Sequence, residues 1–206
     1  MTAGLAAALW AANADLAQAC LDDAFVRRLA DGSLPVELFR AYVAQDAYFL
    51  DAFARAYALA QARSPDRHGL QAFHALIGGV LEELELHAAY AARWQVDLSQ
   101  AAPTDATLAY TAFLLSTASL HSVAETCAAT TPCMRLYAYL GQQLAVVSTC
   151  DNPYQEWITT YAAPEFDTLA ARLESLLDRY ATDSPALRAT YRRAMQLELA
   201  FFRAHA

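Results

Sequence analysis

Long apolar runs are missing from this 206-residue chain. No stretch of 18 apolar residues occurs, so no membrane-spanning helix is predicted. Charge is scarce at 17%, and Lys and Arg nowhere cluster. The net charge is −8. That balance excludes a nucleic-acid surface and suits a cationic or electron-poor small ligand. Glycine and proline are few, 6 and 7 respectively, which excludes disordered and collagen-like chains. The opening residues Met1-Thr2-Ala3-Gly4 lack a basic segment, and Leu5 to Leu16 is broken by Asn13 and Asp15. This reads as a helix and not a signal peptide. The four cysteines, Cys20, Cys127, Cys133 and Cys150, form no C-x-x-C pair. A reduced cytoplasmic protein without a structural disulfide is expected.

What remains is apolar and alanine-rich. Hydrophobic residues make up 57% of a chain long enough for one large core. The expectation is an all-α, single-domain helical bundle spanning residues 1–206. Short breaks carry Gly, Pro, Asn, Asp or Ser: Asp31-Gly32-Ser33, Arg63-Ser64-Pro65-Asp66, Asp97 to Thr104, Cys150 to Pro153, Ala163-Pro164 and Thr182 to Pro185. They leave seven or eight helices, the first two paired before Asp31, and no strand.

Two helices place a carboxylate in the middle of an apolar stripe. On a helix from about Leu34 to Gln61, Phe39, Tyr42, Asp46, Phe49, Leu50 and Phe53 share one face. On the last helix, Leu187, Tyr191, Ala194, Met195, Glu198, Phe201, Phe202 and His205 do the same. A buried carboxylate is costly unless paired. Each is either bonded to a neighbouring helix or reserved for a ligand, and Asp46, Glu198 and Cys133 are expected to face one pocket. Thr130-Thr131-Pro132 reads as an N-cap and first turn of a helix running to about Val147. Cys133 then lies beside unpaired backbone N–H groups, which favour a thiolate, with Tyr137 at i+4. The alternative is a small buried packing thiol.

Glu83 and His87 are also spaced i, i+4, which could hold a metal in a bundle. The apolar stripe of that segment, about Asp66 to Trp94, reads as Phe73, Ile77, Leu81, Leu84 and Ala88. Glu82, Glu83 and Glu85 then form a solvated acidic face. A segment from about Asp105 to Ala129 carries Tyr110, core or site, and His121, a core or rim histidine.

These residues resemble the thiaminase II (TenA) family over nearly the whole chain. The motifs are Tyr42-Val43-Ala44-Gln45-Asp46-Ala47-Tyr48-Phe49-Leu50, Tyr110, Pro132-Cys133 with Tyr137, Tyr154-Gln155-Glu156-Trp157-Ile158-Thr159-Thr160-Tyr161, and Glu198-Leu199-Ala200-Phe201-Phe202. The resemblance implies a haem-oxygenase-like fold without haem or other cofactor, commonly a homotetramer, and aminopyrimidine hydrolysis in thiamin salvage. Cys133 suggests the cysteine-containing branch and looks like the nucleophile. Asp46 looks like the carboxylate that holds the pyrimidine amino group and adjacent ring nitrogen. Glu198 looks like the acid/base at the opposite ring nitrogen. Tyr110, Tyr137 and Tyr161 look like the phenols around the thiol and leaving group, and Phe49 like the stacking aromatic. Met134-Arg135 and Ala162-Ala163-Pro164 depart from the residues common in relatives. A metal-dependent oxygenase using Glu83 and His87, or a non-enzymatic binding or regulatory protein, are the competing readings.

Overall fold

The computed structural model of the chain describes residues 4–96 and 102–206. Met1, Thr2 and Ala3 lie outside them, as does most of the predicted break from Asp97 to Thr104. Ten α-helices and no strand occur among the described residues: α1 (Leu5–Ala12), α2 (Ala14–Leu21), α3 (Ala24–Asp31), α4 (Val36–Ala62), α5 (Arg67–Arg93), α6 (Asp105–Leu120), α7 (Val123–Val147), α8 (Gln155–Ala162), α9 (Pro164–Tyr180) and α10 (Pro185–Arg203). The chain is all-α, as expected. It divides into two compact units. The first holds the chain up to Leu34 with Cys127–Ala204 and Ala206; the second holds Pro35–Thr126 with His205.

In the first unit, side-chain caps set several helix ends. Asp23 accepts from the Phe25 amide to start α3, and Gly32 ends it at φ 77°, a left-handed conformation that favours glycine. Ser184 accepts from the Leu187 amide, and Pro185 opens α10. Asn152 joins the α7–α8 connection to α3 by donating to the carbonyls of Leu29 and Ala30. Arg135 of α7 reaches α9. Its guanidinium grips both Glu174 oxygens at 2.7 Å and Asp167 at 2.6 Å. The arginine is only 18% exposed, so the fork is a partly desolvated, charge-assisted link. Arg135→Ala is expected to lower unfolding free energy by about 2 kcal/mol, readable from urea melts.

In the second unit, α4 packs against both α5 and α6. The dipeptide Gln45-Asp46 holds one neighbour with each side chain. Gln45 accepts from the Thr104 amide and the Thr107 hydroxyl and donates to the Ala102 carbonyl, which fixes the start of α6. Asp46 takes α5, through His87.

Three expectations need correction. The N-terminal pair is three short helices, because Asn13 and Asp22-Asp23 each end a segment. The break between α6 and α7 falls at His121-Ser122 and not at Thr130. Its cause is a capping box: Glu125 accepts from the Ser122 amide and hydroxyl, and Ser122 Oγ accepts from the Glu125 amide. His121, the residue at the break, is exposed and pairs with Glu125 at 3.1 Å, so it is not a core histidine. The buried phase of α5 is the third correction. Ala72, Phe73, Leu76, Val80, His87 and Ala91 face inward, whereas Leu81 is 52% exposed. From Leu76 onward the predicted stripe was one residue, or about 100°, out of phase.

Candidate functional site

Both mid-stripe carboxylates are buried. Asp46 is 2% exposed and Glu198 1%. The rest of each predicted stripe is buried with them, from Phe39 to Phe53 on α4 and from Leu187 to Phe202 on α10, with His205 just beyond.

The second unit holds Asp46, Phe49 and Tyr110. Asp46 Oδ2 accepts from His87 Nε2 at 2.6 Å and from the Tyr42 hydroxyl at 3.4 Å. The other ring nitrogen, Nδ1, donates to the Glu83 carbonyl at 3.0 Å. A carboxylate and a carbonyl are both acceptors, so the ring is satisfied as imidazolium. Burial pulls the His87 pKa down, but the charge and hydrogen bond of Asp46 outweigh it and raise the pKa to about 9. His87 is therefore buried and ion-paired, whereas Glu82 and Glu85 are exposed, in keeping with the predicted solvated acidic face. The Glu83–His87 spacing offers no metal pair in this arrangement, because both imidazole nitrogens are engaged and one of them bonds the Glu83 carbonyl. One turn along α4, Phe49 packs on Tyr110 with centroids 4.7 Å apart. Gln45 sets the α6 register that brings Tyr110 there, three residues after Thr107. Sequence reasoning missed His87 as the partner of Asp46 and Gln45 as the clamp on α6.

The first unit holds Cys133, Tyr137, Tyr161 and Glu198. Cys133 is 8% exposed and lies about three turns inside α7. The expected first-turn placement is thus overturned, and with it the argument that helix-end N–H groups favour the thiolate. Pro132 sits within the helix, where its ring removes the amide that would serve the Ala128 carbonyl. The threonines before it do not cap. Thr131 Oγ1 donates back to the Cys127 carbonyl at 2.7 Å, and Thr130 Oγ1 shares that acceptor at 3.4 Å.

Tyr137 is the centre of an aromatic group. Its ring meets Tyr161 at 4.8 Å, Trp157 at 5.8 Å and Phe202 at 5.7 Å. Tyr161 packs in turn on Trp157 and Phe166. Phe202 is one turn beyond Glu198 on α10. The structure therefore joins Tyr137, Tyr161 and the Glu198 helix in one packed group, with Cys133 one turn before Tyr137. A half-open cavity of about 380 Å³ elsewhere in this unit, between Val26, Arg27, Gln143 and Leu144, is lined by none of these candidates.

Two of the other thiols are raised by burial. Burial pushes the Cys127 thiol up to about 12. Burial and the Glu198 charge together push Cys20 well above its ordinary range. Among the described residues, which include all four cysteines, no disulfide forms. Thiol titration of denatured protein prepared without reductant is expected to count four thiols. Two or fewer would contradict this.

The sequence profile of the TENA/THI-4/PQQC family matches residues 10–206. The mitochondrial bifunctional TH2 protein of Arabidopsis thaliana is 36% identical over 203 residues, which is 85% of this chain and 33% of that protein. The chain thus spans about a third of that relative's length. The aminopyrimidine aminohydrolase of Halalkalibacterium halodurans is 34% identical over 182 residues, covering 85% of this chain and 81% of that protein. Among solved structures, a TenA family transcription regulator from Silicibacter sp. TM1040 superposes with a TM-score of 0.92 at 28% identity, over 98% of this chain and 96% of that one. A match over nearly the whole sequence, carried on an all-helical fold that buries Asp46 and Glu198, places the chain in the TENA/THI-4/PQQC family.

Proposed function

We propose that the protein is an aminopyrimidine aminohydrolase of the thiaminase II type. It hydrolyses 4-amino-5-aminomethyl-2-methylpyrimidine, with thiamin as a second candidate, to 4-amino-5-hydroxymethyl-2-methylpyrimidine in thiamin salvage. The observation that carries this reading is Asp46, a buried carboxylate bonded to His87, one turn from the Phe49–Tyr110 aromatic pair. The aminohydrolase name of the Halalkalibacterium relative, at 34% identity, supports it.

In this reading, whose residue roles come from the family resemblance, Asp46 accepts from the exocyclic amino group and so orients the ring. Phe49 and Tyr110 supply aromatic faces for binding. Glu198, in an apolar setting, gives a proton to the opposite ring nitrogen. The Cys133 sulfur then forms a bond to the activated ring, and the electron pair released into the ring expels the leaving group from the methylene carbon. The departing amine takes the proton given up by the Cys133 thiol, with Tyr137 and Tyr161 as the phenols around the thiol and leaving group. Water adds at the methylene carbon, and the proton it loses restores the Cys133 thiol. The C–S bond breaks, the ring regains aromaticity, and its proton returns to Glu198. No metal or cofactor enters these steps. Residues 1–206 act as one domain of the haem-oxygenase-like type, cytoplasmic and assembled as a homotetramer, by the family resemblance.

The test is incubation of purified protein with the aminomethylpyrimidine and, separately, with thiamin, following the hydroxymethyl product by chromatography. Turnover of the first, faster than or equal to the second, is expected. Absence of product from both would sink the reading.

A further inference from the structure

We infer that Gly141 is a positioning residue for Tyr161. This rests on the proposed role of Tyr161 at the thiol and leaving group. Cys133, Tyr137 and Gly141 are spaced i, i+4, i+8 along α7, so they share one helical face. At the third position the face has no side chain, and the end of α8 lies directly against it. A Cβ at Gly141 would fall 2.5 Å from the Ala162 amide nitrogen and 2.7 Å from the Tyr161 carbonyl oxygen, and closer still to the Tyr161 carbonyl carbon. All three are backbone atoms, which cannot rotate away as a side chain end can. Ordinary contact would require the α8 backbone to withdraw by about 1 Å.

Gly141 therefore sets how near the Tyr161 backbone comes to the α7 face. The ring of Tyr161 then meets Tyr137, one turn above Gly141, edge to face at 4.8 Å. Gly78 on α5 offers the contrast. A Cβ there meets nothing within 4 Å, so that glycine has no such close approach to protect. A displacement near 1 Å at a group that acts on the leaving group belongs to the range in which misplacement alone costs up to roughly 100-fold in rate.

The experiment compares Gly141→Ala with wild type, with Gly78→Ala as the control for replacing a helical glycine. Gly141→Ala is expected to lower kcat for the aminomethylpyrimidine by about 10- to 100-fold with KM little changed. Gly78→Ala is expected to keep wild-type kinetics. The decisive readout is the double variant Gly141→Ala/Tyr161→Phe. If Gly141 acts through Tyr161, the double variant is scarcely slower than Tyr161→Phe alone; independent, additive losses overturn the inference. Should Gly141→Ala fail to fold, Gly141→Ala/Ala162→Gly lets the end of α8 yield and is expected to show the same loss of kcat. A crystal structure of whichever variant folds is expected to show the Tyr161 carbonyl carbon moved by about 1 Å. An unmoved Tyr161 overturns the inference, and so does a moved Tyr161 with full kcat. Inactive wild-type protein would refute the proposed activity instead, and the crystal structure alone would then decide the seating of Tyr161.

Discussion

Cys133→Ser is expected to lower kcat by roughly three orders of magnitude or more while leaving ligand dissociation little changed. The reason lies in the chemistry and no longer in helix position. Displacement at the methylene carbon needs a soft nucleophile that can bond to the ring and later leave it. A serine hydroxyl is close to the thiol in volume but stays protonated near neutral pH. Packing should change little, because Cys133 sits inside α7, where a serine can donate back to the carbonyl one turn earlier, as Thr131 already does to Cys127. Binding should survive, since Asp46 and Phe49, the proposed ring contacts, are untouched. The measurements are initial rates and the dissociation constant of the hydroxymethyl product by calorimetry. Cys127→Ser and Cys150→Ser are expected to stay active. Cys127 is a buried thiol held at about 12, and Cys150 is an exposed one. Ordinary activity in Cys133→Ser, with loss in either of those two, would assign the nucleophile wrongly.

His87→Leu is expected to destabilise the fold by about 3–5 kcal/mol, because it leaves Asp46 buried without its cation. Asp46→Asn/His87→Leu should recover much of that loss, since it removes the uncompensated charge as well. The pH dependence follows from the raised histidine pKa. In the unfolded chain the imidazole titrates near 6.5. In the folded protein burial lowers the pKa, but Asp46 outweighs burial and the value rises to about 9. The folded state binds the proton more tightly, so the pair's stabilisation is complete below about pH 6.5 and is lost as pH climbs through about 9. Urea melts of wild type and His87→Leu should differ most near pH 6 and converge toward pH 10. A gap that is constant or grows with pH would show that the His87–Asp46 ion pair is not the source.

The same pair shows where sequence reading ends. Asp46 was legible because it interrupts a strong aromatic stripe on α4, and Glu198 because it does so on α10. Both stripes are buried as read. On α5 apolar residues lie on several sides of the helix, Leu81 and Leu84 next to Val80, so periodicity lost its phase. A shift of one residue turned His87 outward on paper. The spacing Leu76, Val80, His87, Ala91 was available as an alternative stripe, and it was the phase that packing chose. The α7 start is a different kind of miss. Ser122-Val123-Ala124-Glu125 is a legible capping box, but Thr130-Thr131-Pro132 carries competing start signals. Local chemistry alone does not rank them. The helix runs through the proline because Ser122 and Glu125 satisfy the earlier end, while the threonine hydroxyls turn back onto Cys127.

By itself, then, the sequence determined the helical class, both long stripes, the two buried carboxylates and the family motifs. These are properties of composition and of short periodic spacing, and the backbone geometry of a helix turns them directly into faces. Tertiary structure alone decided the partner of Asp46, which is 41 residues away on α5. It also decided the joining of Tyr137 to Tyr161 and Phe202, and the approach of α8 to Gly141. The physical reason is common to all three. Each depends on which surfaces of separate helices meet, and that is set by the packing of the unit as a whole, where burial and backbone contact override the preferences of any single segment.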